Sequence, residues 1–129
     1  MMRILLDTHV FLWAVAMPER LSKAASDVLQ DAGVEVWLSV VSAWEIEIKT
    51  GLGKLTLQRT LGEILAEEQS VNGLGVLPMR LSHVLTLGQL PVLHRDPFDR
   101  LLIAQARVEN LTLVTADQQI QRYPIDHLW

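Results

Sequence analysis

Four short apolar runs, at residues 3–6, 34–38, 74–77 and 111–115, recur along the chain with longer helix-patterned segments between them. Runs of this length are too short for helices and suit strands buried on both faces. Parallel strands need long crossovers, usually helical and right-handed. The alternation therefore predicts an α/β fold: a three-layer α/β/α, Rossmann-like arrangement around a central, mostly parallel sheet of about five strands. The fifth is a short edge strand expected within 124–129. A chain of 129 residues can bury one core of its own. No linker, repeat or low-complexity tract interrupts it, so 1–129 is expected to be a single domain.

The segments between the runs carry helix signals. Residues 10–17 are apolar and stopped by Pro18, and Ser22 caps a second helix running to about Ala32, with Gly33 at its end. Ser39 caps a third over 40–50, where Val41, Trp44, Ile48 and Leu52 recur at helical spacing until Gly51 and Gly53. Leu57, Leu61, Ile64, Leu65 and Val71 form the stripe of a fourth, ending near Asn72-Gly73. Residues 81–90 read as a further helical stretch and 91–97 as a loop. A last helix then runs to about Asn110, with Asp96 suited to its cap and Pro97 to its first position.

Composition narrows the class. Hydrophobic residues make up 50% and charged residues 20%, an ordinary globular balance. With no cysteine, disulfides and thiolate sites are excluded, and any metal must be held by oxygen or imidazole. The longest stretch free of Asp, Glu, Lys and Arg, 81–93, is shorter than the roughly 18 residues of a membrane span and contains Gly88 and Pro91. Asp7 comes too early for a secretory apolar region, so the cytoplasm is the expected location. The net charge of −4 argues at first against a nucleic-acid partner. If four of the 15 acids sit in a metal site, however, the other eleven balance the 11 Lys and Arg, and bound divalent cations make the cleft locally cationic.

The acids carry the functional signal. In open α/β sheets ligands bind beyond the carboxyl ends of the strands. Asp7 and Asp117 each close an apolar run, which places them at one rim. Either can simply cap the following helix. Two carboxylates in one crevice repel, however, and call for a cation. Glu45 fits a capping box with Ser42, but Ser39 is the better cap, which puts Glu45 inside the helix; Glu47 lies on another face, solvated or paired with Lys49 or Lys54. Asp96 caps the last helix, while Asp99 in its first turn is placed to point into the rim. Asp96 then supports the site, as does Thr8 beside Asp7.

Arg95 and Arg100 flank the Asp96–Asp99 pair and, with His94, are candidate RNA contacts, although each arginine can equally neutralise the nearby acids. His9, His83 and His127 read as surface or hydrogen-bonding residues. Trp13, Trp37, Trp44 and Trp129 read as core or interface aromatics. Oxygen-only ligands fit Mg²⁺ or Mn²⁺, and that chemistry points to hydrolysis of a phosphodiester.

In order along the chain, Leu6-Asp7-Thr8-His9, the stretch from Ser39 through Trp44-Glu45-Ile46, the stretch from His94 to Ala106, and Leu113-Val114-Thr115-Ala116-Asp117 resemble the PIN domain, and more narrowly the VapC toxins of type II toxin–antitoxin modules. The resemblance spans almost the whole chain. It implies a PIN-like fold and an Mg²⁺- or Mn²⁺-dependent endoribonuclease whose acids map onto Asp7, Glu45, Asp99 and Asp117. It also implies a hydroxyl at Thr115 that helps position metal-bound water. The partners it implies are an RNA substrate, a cognate VapB-type antitoxin that covers the cleft and contacts operator DNA in the toxin's stead, and a second copy in a homodimer.

Three rivals compete. A phosphoacceptor receiver wants an acidic pair after the first strand and a late lysine, but Thr8-His9 follows Asp7 and no lysine follows Val92. A haloacid-dehalogenase-like phosphatase wants an acid where His9 stands. A non-catalytic PIN-like module that binds RNA or protein without cutting is the alternative that remains.

Overall fold

β1 (Arg3–Leu6) is the central strand of the computed structural model, which describes residues 2–129. With β2 (Glu35–Ser39), β3 (Gly75–Leu77), β4 (Thr112–Val114) and β5 (His127–Leu128) it forms a sheet of order β3-β2-β1-β4-β5, every neighbouring pair parallel. Its position explains its composition: Ile4, Leu5 and Leu6 are buried because helices cover both faces. Alternate side chains point to opposite sides. Ile4 and Leu6 accordingly join Val10, Phe11, Leu38, Ile64 and Leu74 in one apolar layer, whereas Leu5 joins Leu102, Ile103, Leu113 and Ile120 in the other.

Among the described residues seven helices flank the sheet, completing the α/β/α arrangement that the apolar alternation predicts. α1 (Thr8–Ala16), α2 (Lys23–Gln30) and α4 (Leu61–Asn72) line the Ile4 layer. α6 (Pro97–Glu109) and α7 (Gln118–Gln121) line the Leu5 layer, with α5 (Leu81–Thr86) packed on α6. α3 (Val40–Gly51) starts as β2 ends and serves both layers, Val41 in one and Ile46 in the other. A buried polar chain ties α5 to α6: His83 Nδ1 accepts the Arg80 N–H at 3.0 Å, and His83 Nε2 lies 3.0 Å from Glu109 Oε2. No helix among the described residues is long and apolar enough to cross a membrane.

Three boundaries depart from expectation. α2 stops at Gln30 because Asp31 turns extended and its carboxylate accepts the Gly33 N–H at 2.8 Å. α4 begins at Leu61, not Leu57, because Thr60 caps it: its hydroxyl accepts the Glu63 N–H at 3.2 Å and donates to Glu63 Oε1 at 2.8 Å. Residues 81–90 split into α5 and a 3-10 turn at Leu87–Gln89.

One glycine is there because of its neighbour. A Cβ on Gly75 would lie 2.6 Å from Trp37 Cε3 across the β2–β3 ladder, closer than packing permits. Gly75→Ala is expected to displace the indole, whose Nε1 donates to Glu35 at 2.8 Å, and to cost about 1–2 kcal/mol of stability by overpacking. Denaturant unfolding measures this; an unchanged midpoint contradicts it.

Candidate active site

Because every strand is parallel, all carboxyl ends open on one rim, and the sequence delivers an acid or its support to that rim from three strands. Asp7 directly follows β1, and its N–H donates to Val114 O of β4 at 3.0 Å. Its backbone sits at the N-cap of α1, but its side chain caps nothing. The buried carboxylate, 4% exposed, accepts instead from Thr115 Oγ1 at 2.9 Å. The same hydroxyl oxygen accepts the Asp117 N–H at 3.0 Å, so one buried threonine ties the two strand ends together. Asp117 is exposed and does cap, its Oδ1 accepting the Gln119 N–H at 2.8 Å. The simpler reading thus holds for Asp117 and not for Asp7.

Glu45 comes from the second turn of α3. It forms no capping box, since Ser39 Oγ accepts the Val41 N–H. Instead it is buried to 3% exposure between two partners. Thr8 Oγ1 lies 2.8 Å from both Glu45 Oε1 and Ser42 Oγ; having one proton, it donates to the carboxylate and accepts from Ser42. Lys49 Nζ donates to Glu45 Oε2 at 2.6 Å. Lys49 therefore pairs with Glu45, and Glu47 is exposed, the first of the readings its sequence allowed. A Glu followed four residues later by Lys was the signal for this pairing.

α6 brings the remaining pair. Asp96 Oδ1 accepts the N–H groups of Phe98 and Asp99 at 2.9 and 3.1 Å, which is the cap expected of it. Asp99 stands in the first turn with its Oδ2 3.2 Å from His94 Nε2. Of the two flanking arginines, Arg95 is exposed, and Arg100 reaches Leu87 O at 3.4 Å. The exposed Trp44 and the half-buried Phe98, each one residue before an acid, meet edge-on with ring centres 5.1 Å apart.

The acids sense one another. Burial pushes the Asp99 carboxyl up from the usual 3.8 to about 8, helped by the negative charges of Asp96, Asp7, Asp117 and Glu45. Burial also raises Asp7, against the opposing Thr115 hydrogen bond and His9; Asp117 and Glu45 push it further up. Lys49 is raised chiefly by its hydrogen bond to Glu45, with the charges of Asp96 and Asp99 adding to it. The five acids and one ammonium form a single electrostatic cluster.

No three Asp, Glu or His among the described residues stand close enough as placed to hold one ion. In kind the acids fit a hard divalent cation: all donors are oxygen, and Asp7 and Asp99 are raised first by burial and then by the neighbouring acids, both of which such a cation offsets.

Comparisons with known proteins bear on the family and the fold. A sequence model of the PIN domain family matches residues 4–126. Ribonuclease VapC22 of Mycobacterium tuberculosis is 31% identical over 125 residues, covering 95% of this chain and 93% of the relative. Among solved structures, VapBC2 from Rickettsia felis bound to a promoter DNA fragment superposes with a TM-score of 0.74 at 20% identity, covering 98% of each chain. FitAcB from Neisseria gonorrhoeae gives 0.67 at 18% identity, covering 98% of this chain and 96% of the other. At such identities the two structures bear on the fold alone.

Proposed function

The chain belongs to the PIN domain family, and we propose on that premise that it is a metal-dependent endoribonuclease, the toxin of a type II toxin–antitoxin module. One observation carries the reading: Asp7, Glu45, Asp99 and Asp117 act on one another electrostatically at the carboxyl edge of the sheet, with Lys49, among the described residues, the one cation bonded to any of them. Asp7, Asp99, Asp117 and Glu45 would hold Mg²⁺ or Mn²⁺. Such an ion, once bound, acidifies water and stabilises charge developing on a phosphodiester. Thr115 orients Asp7, Thr8 orients Glu45, and Asp96 fixes the helix start that carries Asp99. Arg95 and Arg100 flank Asp96 and Asp99 in sequence and are the candidates to meet RNA phosphates, Arg95 from an exposed position.

A VapB-type antitoxin is the proposed partner, with operator DNA bound through it. An apolar cavity of about 460 Å³ between α1 and the start of α4, lined by Phe11, Leu12, Val15, Leu57 and Ile64, supports a docked segment. It shares Leu12 with a second cavity of about 230 Å³ that is also lined by Thr8 and Lys49, the two partners of Glu45. A homodimer is supported by the exposed apolar residues Val40, Trp44 and Ile48 on α3 and Leu81, Val84 and Leu85 on α5, two helices that both pack on α6. The cytoplasm, where RNA and antitoxin meet, is the compartment this reading requires.

The test uses the purified full chain and total RNA. Cleavage is expected to stop in EDTA and return with Mn²⁺. Mn²⁺ alone is expected to stabilise the protein by about 2.7 kcal/mol at a hundred times its Kd. If Mn²⁺ gives neither product nor a shift in melting temperature, the chain is the non-catalytic binding module. Mapping the cut sites then identifies the RNA.

A further inference from the structure

Tyr123, in the turn after α7, is 3% exposed, and its hydroxyl meets three groups of the loop before α6. The N–H groups of Leu93 and His94 both point to the phenol oxygen at 3.3 Å, and His94 Nδ1 lies 2.8 Å from it. The two backbone donors occupy the oxygen's lone pairs, so the phenol proton goes to Nδ1. That assignment places the imidazole proton on Nε2, which faces Asp99 Oδ2 at 3.2 Å. Both ring nitrogens of His94 are thus engaged inside the protein, and the rings of His94 and Tyr123 hold each other edge-on at 5.4 Å. Asp99 Oδ1 has no partner within the described chain.

We propose that Tyr123 and His94 are positioning residues: a phenol-to-imidazole-to-carboxylate chain that pins one oxygen of Asp99 and leaves the other available for the cation. The proposal rests on reading Asp99 as a metal ligand. Among the described residues no other group hydrogen-bonds the Asp99 carboxylate: its own helix uses Asp96 as the cap, and the neighbouring acids offer it no donor. A carboxylate at the first turn of a helix can rotate; one held by a fixed imidazole keeps its orientation before the ion arrives. Partners of this kind around metal ligands are worth about 10–100-fold in metal affinity.

The test is Mn²⁺ binding to the full chain without RNA, followed calorimetrically for wild type, H94A, H94Q, Y123F, H94A/Y123F and D99N, with RNA KM and kcat measured alongside. H94A and Y123F are expected to weaken Mn²⁺ binding about tenfold or more and to lower kcat at unchanged RNA KM. H94Q, whose amide can donate where Nε2–H did, is expected to recover most of the loss. The double variant is expected to be no worse than H94A, because the two residues act through one chain. His94 lies in a loop, so H94A and H94Q decide the matter even if Y123F does not fold. Wild-type Mn²⁺ affinity in H94A, with binding lost in D99N, overturns the positioning role alone. Wild-type Mn²⁺ affinity in D99N overturns it together with its premise.

Discussion

Asp99→Asn is expected to abolish RNA cleavage, a fall of about 10³-fold or more in kcat, and at the same time to make the metal-free protein more stable at about pH 8. The two effects have one origin. Burial and four neighbouring acids raise the Asp99 carboxyl to about 8 from the usual 3.8. Between those values the folded chain keeps a proton that the unfolded chain has released. Stability therefore falls as pH rises through that window, is fully present below about pH 4, and levels off above about pH 8. Asparagine carries no charge and removes this slope. The gain for the variant at about pH 8 is on the order of 2 kcal/mol, discounted from the full linkage value because the carboxylate is partly screened by solvent. Thermal melts in EDTA at about pH 5 and pH 8 separate the two proteins, and added Mn²⁺ is expected to close the gap at the higher pH by stabilising the wild type. Cleavage at the wild-type rate by the variant, or parallel pH dependences of melting, contradicts the assignment.

How far this site can be read from sequence is shown by Asp7 and Asp117. Both end an apolar run and precede a helix, so their local sequences are equivalent. One carboxylate caps its helix and the other is turned into the site, because Thr115, 108 residues away, supplies the competing hydrogen bond. Local pattern cannot register a partner at that separation. The strands were legible for the opposite reason: a strand covered on both faces is apolar wherever it is buried, and Ile4–Leu6 and Leu113–Val114 announce this without reference to the rest of the chain. α4 shows the intermediate case. Leu57 continues the apolar spacing of Leu61, Ile64 and Leu65, yet the hydroxyl of Thr60 starts the helix and leaves Leu57 to line the neighbouring cavity. Tyr123 had no signal at all, since its three bonds go to a loop some thirty residues upstream.

Lys49→Met is expected to destabilise the metal-free protein and to tighten its grip on Mn²⁺. Glu45 is 3% exposed, and among the described residues its carboxylate is bonded to Thr8 and Lys49 alone. Removing one partner of a buried pair typically costs about 3–5 kcal/mol; with the Lys49 side chain 38% exposed, about 2–3 kcal/mol is expected here. Met preserves the length and apolar stem of the lysine, so the loss reports charge and not packing. The lysine also occupies Glu45 Oε2 and adds a positive charge near Asp99 and Asp96, so it competes with a divalent ion for the same oxygens. Without it, Mn²⁺ affinity is expected to rise about tenfold, the scale of one unit charge across a half-buried site. Mn²⁺ at saturation should then recover most of the lost stability in the variant. Lys23–Asp27 provides the control, with the same four-residue spacing at 2.9 Å but both side chains in solvent. Lys23→Met should leave melting and Mn²⁺ binding unchanged, since exposed pairs of this kind contribute little. An unaltered or weakened Mn²⁺ affinity in Lys49→Met would mean that the ammonium and the ion do not share Glu45, and that Glu45 holds the helix and not the metal.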